Sequence, residues 1–283
     1  MLKIIECPRD AMQGIKTFIP TESKIKYINQ LLKVGFDTID FGSFVSPKAI
    51  PQMKDTSEVL AGLNIDGSQT KLLAIVANER GAENALRHKE ISYLGYPFSI
   101  SETFQMRNTN ATIEESVERV KQIQTMCQQQ DVMLVVYVSM GFGNPYGDTW
   151  NANIVKKWVD QLIDMDIRIL SLSDTIGIAN PKSIEYIFSN VIPNYKGVEF
   201  GAHLHTQASA WKEKVDAAYH AGCRRFDSAI RGYGGCPMAK DDLTGNMATE
   251  NLLYYLDEID ADLNIDRKAF NQAMSMALDI FPH

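Results

Sequence analysis

Eight short apolar runs recur along the chain, at residues 2–7, 38–41, 71–76, 91–98, 133–140, 167–172, 198–203 and 225–230. Amphipathic segments fill the intervals, and no other pattern restricts the fold as tightly. The clearest segment spans Ile113–Gln129, where Ile113, Val117, Val120 and Ile123 return at helical spacing and Thr112 with Glu115 forms a capping-box signature. Further helices are predicted over 22–34, 153–165, 182–191, 208–221 and 250–259. Short strands alternating with helices eight times predict an α/β fold, a (β/α)8 TIM barrel with extra C-terminal helices. A doubly wound open sheet is the rival, but it calls for a glycine-rich turn after the first strand. Residues 7–12 (Cys-Pro-Arg-Asp-Ala-Met) contain no glycine. No Gly/Pro/Ser-rich linker interrupts the chain, so residues 1–283 read as a single domain, with 248–283 as a C-terminal helical extension packed on the barrel.

Charge and cysteine content narrow the setting. A net charge of −7 argues against nucleic acid or an anionic membrane as partner, and an anionic substrate then requires local positive charge. No apolar run approaches the ~18 residues of a membrane span, and the first residues lack the apolar core of a signal peptide. Cys7, Cys127, Cys223 and Cys236 are irregularly spaced, as free thiols of a reducing compartment are. A cytoplasmic protein is expected.

Barrel enzymes place their active residues at the carboxyl ends of the strands. Arg9, Asp10 and Gln13 follow the first run here, and Asp40, Ser43 and Lys48 follow the second. Asp174 ends the sixth, His203 and His205 end the seventh, and a glycine-rich stretch leading to Cys236, then Asn246, lies beyond the eighth. Residues two apart in a strand share a face, so His203 and His205 can present both imidazoles to one ion or substrate. Each residue has a plainer reading: the histidines as a polar patch, Arg9 and Asp10 as a surface ion pair, Asp174 as a turn or helix cap, Cys236 as a packed thiol. Those readings predict scattered positions. Instead the residues gather at strand ends and offer carboxylate, imidazole and amide oxygen, a set suited to a divalent cation. His88 and His220, in predicted helical stretches, and terminal His283 fall outside it.

Six ordered blocks of sequence carry a resemblance to a known family. They are Pro8-Arg9-Asp10 with Gln13; 43–48 (Ser-Phe-Val-Ser-Pro-Lys) with Pro51-Gln52-Met53; Asp174-Thr175-Ile176-Gly177; His203-Leu204-His205; Gly234-Gly235-Cys236-Pro237; and Gly245-Asn246 leading to Ala248-Thr249-Glu250. Together, from near residue 4 to about residue 256, they resemble 3-hydroxy-3-methylglutaryl-CoA lyase, within a superfamily of metal-dependent barrel lyases and Claisen-type synthases. The resemblance implies a barrel that cleaves a 3-hydroxyacyl-CoA to acetyl-CoA and acetoacetate with Mg2+ or Mn2+. It implies Asp10, His203, His205 and Asn246 as metal ligands, Arg9 as the stabiliser of the developing oxyanion, and Cys236 as the acid that protonates the acetyl carbanion. His203 is also a catalytic candidate, Asp174 supports proton relay, and Ser43 and Asn108 face substrate or CoA. An acyl-CoA partner, a homodimer and a place in leucine degradation come with the same resemblance.

The chain departs from the family pattern in several places. Asp40 stands where the family has Glu, Thr206 replaces an Asp after the His-x-His motif, Ser173 replaces Gly, Asn144 replaces Cys, and Gly14-Ile15 replaces Asn-Glu. These changes leave open a related 3-hydroxyacyl-CoA, a Claisen-type synthase or 2-oxo acid aldolase of the same superfamily, and a non-catalytic metal-binding barrel.

Overall fold

A computed structural model describes residues 2–235 and 244–281. Eight parallel strands close into a barrel: β1 (Lys3–Glu6), β2 (Thr38–Ser43), β3 (Lys71–Ile75), β4 (Ile91–Ser99), β5 (Met133–Ser139), β6 (Ile169–Asp174), β7 (Glu199–Thr206) and β8 (Arg225–Ser228). Neighbours in sequence are neighbours in space, and pairing of β1 with β8 and of β6 with β7 closes the ring. This is the predicted TIM barrel. β2 is buried at every position, its polar Thr38, Asp40 and Ser43 included.

The outer helices are α1 (Pro8–Gln13), α2 (Thr21–Leu32), α3 (Thr56–Ala61), α4 (Glu79–Ala85), α5 (Glu102–Thr109), α6 (Ile113–Gln129), α7 (Ala152–Asp164), α8 (Pro181–Val191), α9 (Trp211–His220), α10 (Thr249–Glu258) and α11 (Arg267–Ile280). The capping box read from Thr112 and Glu115 is present in both directions. Helices α1, α3, α4 and α5 were not legible in the sequence, because each spans too few turns to show a helical period. His88 lies in the turn after α4 rather than in a helix, with its Nε2 3.2 Å from Ser57 Oγ. Helix α10 follows β8 as the barrel pattern requires. Helix α11 returns to the start of the chain, where Gln30 donates to the Ala269 carbonyl and Phe270 meets Phe36 edge to face. A two-residue strand, β9 (Gly245–Asn246), runs antiparallel to the end of β7.

The joint between β1, the β8 exit and α10 is a buried carboxyl. Glu6, 1% exposed, accepts from Ile230 N at 2.9 Å through Oε1 and lies 2.6 Å from Thr249 Oγ1 through Oε2, with Thr249 Oγ1 also 2.9 Å from Ser228 Oγ. Burial pushes the Glu6 carboxyl up to about 8, against the lowering effect of its hydrogen bonds. The Thr249 hydroxyl donates to Glu6 Oε2 and also contacts the Ser228 hydroxyl. With the native pKa above the unfolded one, this contribution to stability is complete below about pH 4.5 and is lost as pH rises toward about 8. Glu6→Gln, which cannot ionise, should flatten the decline in urea midpoint between pH 5 and 8. Glu6→Ala should cost about 1–3 kcal/mol by stranding the Ile230 and Thr249 groups. A wild-type midpoint that rises over that pH range more than in Glu6→Gln would contradict this account.

Candidate metal centre and active site

The carboxyl ends of the strands surround a cavity of about 410 Å³. One wall is apolar, from Val45, Ala49, Ile50, Ile75, Pro97 and Phe104; the other is polar, with Arg9, Asp10, Gln13, Ser173, His203 and His205. Arg9 and Asp10 reach it because α1 starts immediately after β1, with Pro8 in its first turn. The surface ion pair is thereby replaced by a buried one, Arg9 and Asp10 each being 8% exposed.

Arg9 is held by a fork of contacts. Nε donates to Asp40 at 3.0 and 3.2 Å, Nη2 donates to Asp40 Oδ2, and Nη1 donates to Asp10 Oδ1 at 3.0 Å and Gln13 Oε1 at 2.9 Å. Burial opposes the guanidinium charge, but Asp40 and Asp10 outweigh it and raise the Arg9 pKa further. Burial pushes Asp40 up to about 6 while Arg9 pulls it down, so Asp40 remains ionised at neutral pH. Asp10 is raised by burial, yet Arg9 and the histidines bring it below the usual carboxylate value.

His203 and His205 do share a face, their ring centroids 5.3 Å apart, and their second nitrogens are fixed by different partners. His203 Nδ1 lies 3.2 Å from Asp227 Oδ2, which also accepts from Ser171 Oγ at 3.0 Å. His205 Nδ1 lies 2.8 Å from the Thr175 carbonyl, which can only accept, so Nδ1 carries the proton and Nε2 the lone pair. Nε2 is buried with no hydrogen-bond partner among the described residues. Burial and then His203 lower the His205 pKa to about 4, which keeps the ring neutral. Burial also opposes charge on His203, but the Asp227 hydrogen bond and charge outweigh it and raise its pKa.

One donor atom from each of Asp10, His203 and His205 lies within 4.8 Å of the others. Asn246 joins them from β9: its Nδ2 donates to Asp10 Oδ2 at 2.6 Å and to the Tyr233 carbonyl at 2.8 Å, leaving Oδ1 as the atom it offers a cation. The approach of the 232–235 loop depends on Gly234, at φ 83°, since a Cβ there would stand 2.7 Å from Asp10 O and 2.9 Å from Asn246 Nδ2. Imidazoles that bind metal usually spend the other ring nitrogen on a carboxylate or a backbone carbonyl, as both do here, and a buried, unpartnered Nε2 fits a cation. The residues form a possible divalent-metal site.

The other sequence-predicted residues divide between the cavity and its surroundings. Asn108, on α5, lines the cavity. Ser43, 2% exposed, turns its Oγ to Val45 N at 3.3 Å and does not line it. Asp174 stands behind the histidine strand, with Oδ1 accepting from Ala179 N at 3.0 Å and Oδ2 from Lys214 Nζ at 2.9 Å. Its turn-forming role is therefore real, and neither oxygen faces the cavity. Cys236 lies outside the described residues. Sequence reasoning missed Asp227 and Lys214; the signal for Asp227 was an acidic residue two positions after Arg225 in a run predicted to be a buried strand.

Residues 2–277 match the HMGL-like family over nearly the whole chain. The chain belongs to the HMGL-like family. Among HMGL-like relatives, the hydroxymethylglutaryl-CoA lyase YngG of Bacillus subtilis is 34% identical over 91% of this chain and 85% of its own length. The cytoplasmic 3-hydroxy-3-methylglutaryl-CoA lyase of Rattus norvegicus is 32% identical over 94% and 77%. An HMG-CoA lyase from Acinetobacter baumannii, solved with coenzyme A and 3-methylmalate, superposes with a TM-score of 0.92 at 32% identity, covering 100% of this chain and 92% of that one.

If the HMGL-like site holds a cation, Mn2+ should raise the melting temperature of the wild type, by about 2.7 kcal/mol of added stability at a hundredfold excess over the dissociation constant. Excess chelator should reverse the shift, and His205→Ala should abolish it. An undiminished shift in His205→Ala would place the ion elsewhere.

Proposed function

We propose that this chain is a divalent-metal-dependent carbon-carbon lyase that cleaves 3-hydroxy-3-methylglutaryl-CoA to acetyl-CoA and acetoacetate. The observation that carries the reading is the buried His205 Nε2, without a partner among the described residues and beside Asp10 and His203 at the mouth of an HMGL-like barrel. Mg2+ or Mn2+ would be held by Asp10, His203, His205 and Asn246, and when bound supplies Lewis acidity and a fixed attachment for substrate oxygens.

The residues of the chain account for the rest of the chemistry. Cleavage requires the tertiary hydroxyl to lose its proton as its carbon becomes a carbonyl, while the electron pair of the broken bond moves onto the thioester as an enolate. Arg9 stabilises that oxyanion: four of its five N–H groups make five contacts with Asp40, Asp10 and Gln13, the Nε N–H being shared between both Asp40 oxygens. One Nη2 N–H has no partner among the described residues and remains for substrate. Asp40 and Asp10 hold the guanidinium plane still, so little reorganisation accompanies the appearance of charge. The hydroxyl proton passes to a cavity carboxylate or imidazole. Asp174 is withdrawn from that relay, because Lys214 and Ala179 occupy its oxygens. Cys236 protonates the enolate carbon to give acetyl-CoA.

The apolar wall suits the methyl and acyl portions of the substrate, and Asn108, which lines the same cavity, would face the CoA thioester. Ser43 serves by shaping the β2 loop rather than by touching substrate. We extend the proposal to a single catalytic domain with residues 248–283 as its helical extension, acting as a homodimer in the cytoplasm and serving leucine degradation. No described helix is long and apolar enough to cross a membrane.

The test is acetyl-CoA formation from 3-hydroxy-3-methylglutaryl-CoA with Mg2+ or Mn2+ and its loss with chelator. Arg9→Lys, which keeps a charge but loses the fork, should lower kcat about a hundredfold. Cys236→Ala should slow turnover without weakening metal binding. If this ester yields no acetyl-CoA, while acetyl-CoA and a 2-oxo acid together release free CoA thiol, the chain is a Claisen-type synthase instead.

A further inference from the structure

We propose that Lys214 is a positioning residue for the metal centre, holding His205 in the orientation that aims Nε2 at the cation. This rests on the metal reading above. Lys214 lies in the first turn of α9, is 4% exposed and does not line the cavity, so it acts through its neighbours rather than on substrate. An ammonium group has three protons, and each has an acceptor: Asp174 Oδ2 at 2.9 Å, Gly177 O at 3.0 Å and His205 O at 2.9 Å.

These three acceptors belong to the two strand ends that fix the His205 ring. His205 Nδ1 donates to Thr175 O at 2.8 Å, and Thr175 follows Asp174 in the turn leaving β6. That turn is closed on itself, with Gly177 N donating to Asp174 O at 3.1 Å and Ala179 N to Asp174 Oδ1 at 3.0 Å. Lys214 therefore grips the His205 main chain with one proton and the turn that anchors the His205 imidazole with the other two. Register pairing of β6 with β7 runs only as far as Asp174 with Leu204, so at His205 the ladder between them has ended. The lysine supplies the connection that the ladder no longer makes. Without it, the Asp174 carboxylate is stranded and Thr175 O loses its fixed relation to the imidazole.

The chain also contains a matched comparison. Lys24, 2% exposed, makes a buried ion pair with Asp55 at 2.7 Å and also donates to the Gln52 carbonyl, but none of these groups touches a proposed ligand. Loss of either lysine breaks a buried pair, and only loss of Lys214 should disturb the ion.

The experiment is Mn2+ titration of the full chain, with free Mn2+ read by electron paramagnetic resonance. Lys214→Met should weaken binding about tenfold or more, the range seen when groups that orient metal ligands are removed. The double variant Asp174→Asn with Lys214→Met leaves no stranded charge and should bind as weakly; it decides the matter if the single variant does not fold. Lys24→Met should lower the melting temperature yet keep the wild-type affinity. Wild-type affinity, within about twofold, in a folded Lys214 variant overturns the proposal. Failure of the wild type itself to bind Mn2+ overturns the metal reading and this one with it.

Discussion

One guanidinium shared between two buried carboxylates is the constraint on which the site depends. Arg9 neutralises Asp40 at the end of β2 and Asp10 in α1 at once, and both are almost out of water. Removing one member of such an arrangement commonly costs about 3–5 kcal/mol, because the remaining charge is left unpaired in a poor solvent. The fork also fixes where negative charge is available. With Asp40 engaged at Nε and Nη2, Asp10 gives one oxygen to Arg9 and Gln13 and the other to Asn246. Asp10 is thus oriented by Arg9 and Gln13 on one oxygen and by Asn246 on the other.

The two histidines show how neighbouring strands divide chemistry between like residues. They alternate onto one face of β7, yet one meets a carboxylate from β8 and the other a carbonyl from the turn after β6. The β7–β8 register pairs His203 with Asp227 directly, so the acid reaches His203 and not His205. Opposite shifts follow, His203 upward and His205 downward to about 4. A parallel barrel can do this because each strand end has a different neighbour on either side.

The barrel and most of the polar set were legible because both depend on short-range pattern. Apolar runs alternating with amphipathic segments announced the strands, and strand ends announced the site. His203, His205, Asp10 and Arg9 all reach the cavity, as strand-end reasoning required, and Asn108, expected from the family resemblance alone, reaches it from α5. What the sequence hid was the direction of side chains just past a strand end. Asp174 and Ser43 occupy the expected positions, but one turns back to Lys214 and Ala179 and the other to its own loop. Asp227 and Lys214 were hidden for another reason: each acts across 24 or 40 residues of chain on a partner that only the closed ring brings near.

Thr206 illustrates the same limit from the other side. An acid replaced by threonine directly after the second histidine looks like a change in the metal shell. In the structure β7 continues past the barrel rim to pair with β9, His205 opposite Asn246 and Thr206 opposite Gly245. Successive residues of a strand point to opposite faces, so the Thr206 side chain lies away from the face that carries the imidazoles. Its position in the sequence is adjacent to the ligand, whereas its main chain belongs to the pairing that delivers Asn246. A change of side chain there leaves this pairing in place, because the pairing is made by backbone groups that both residue types possess.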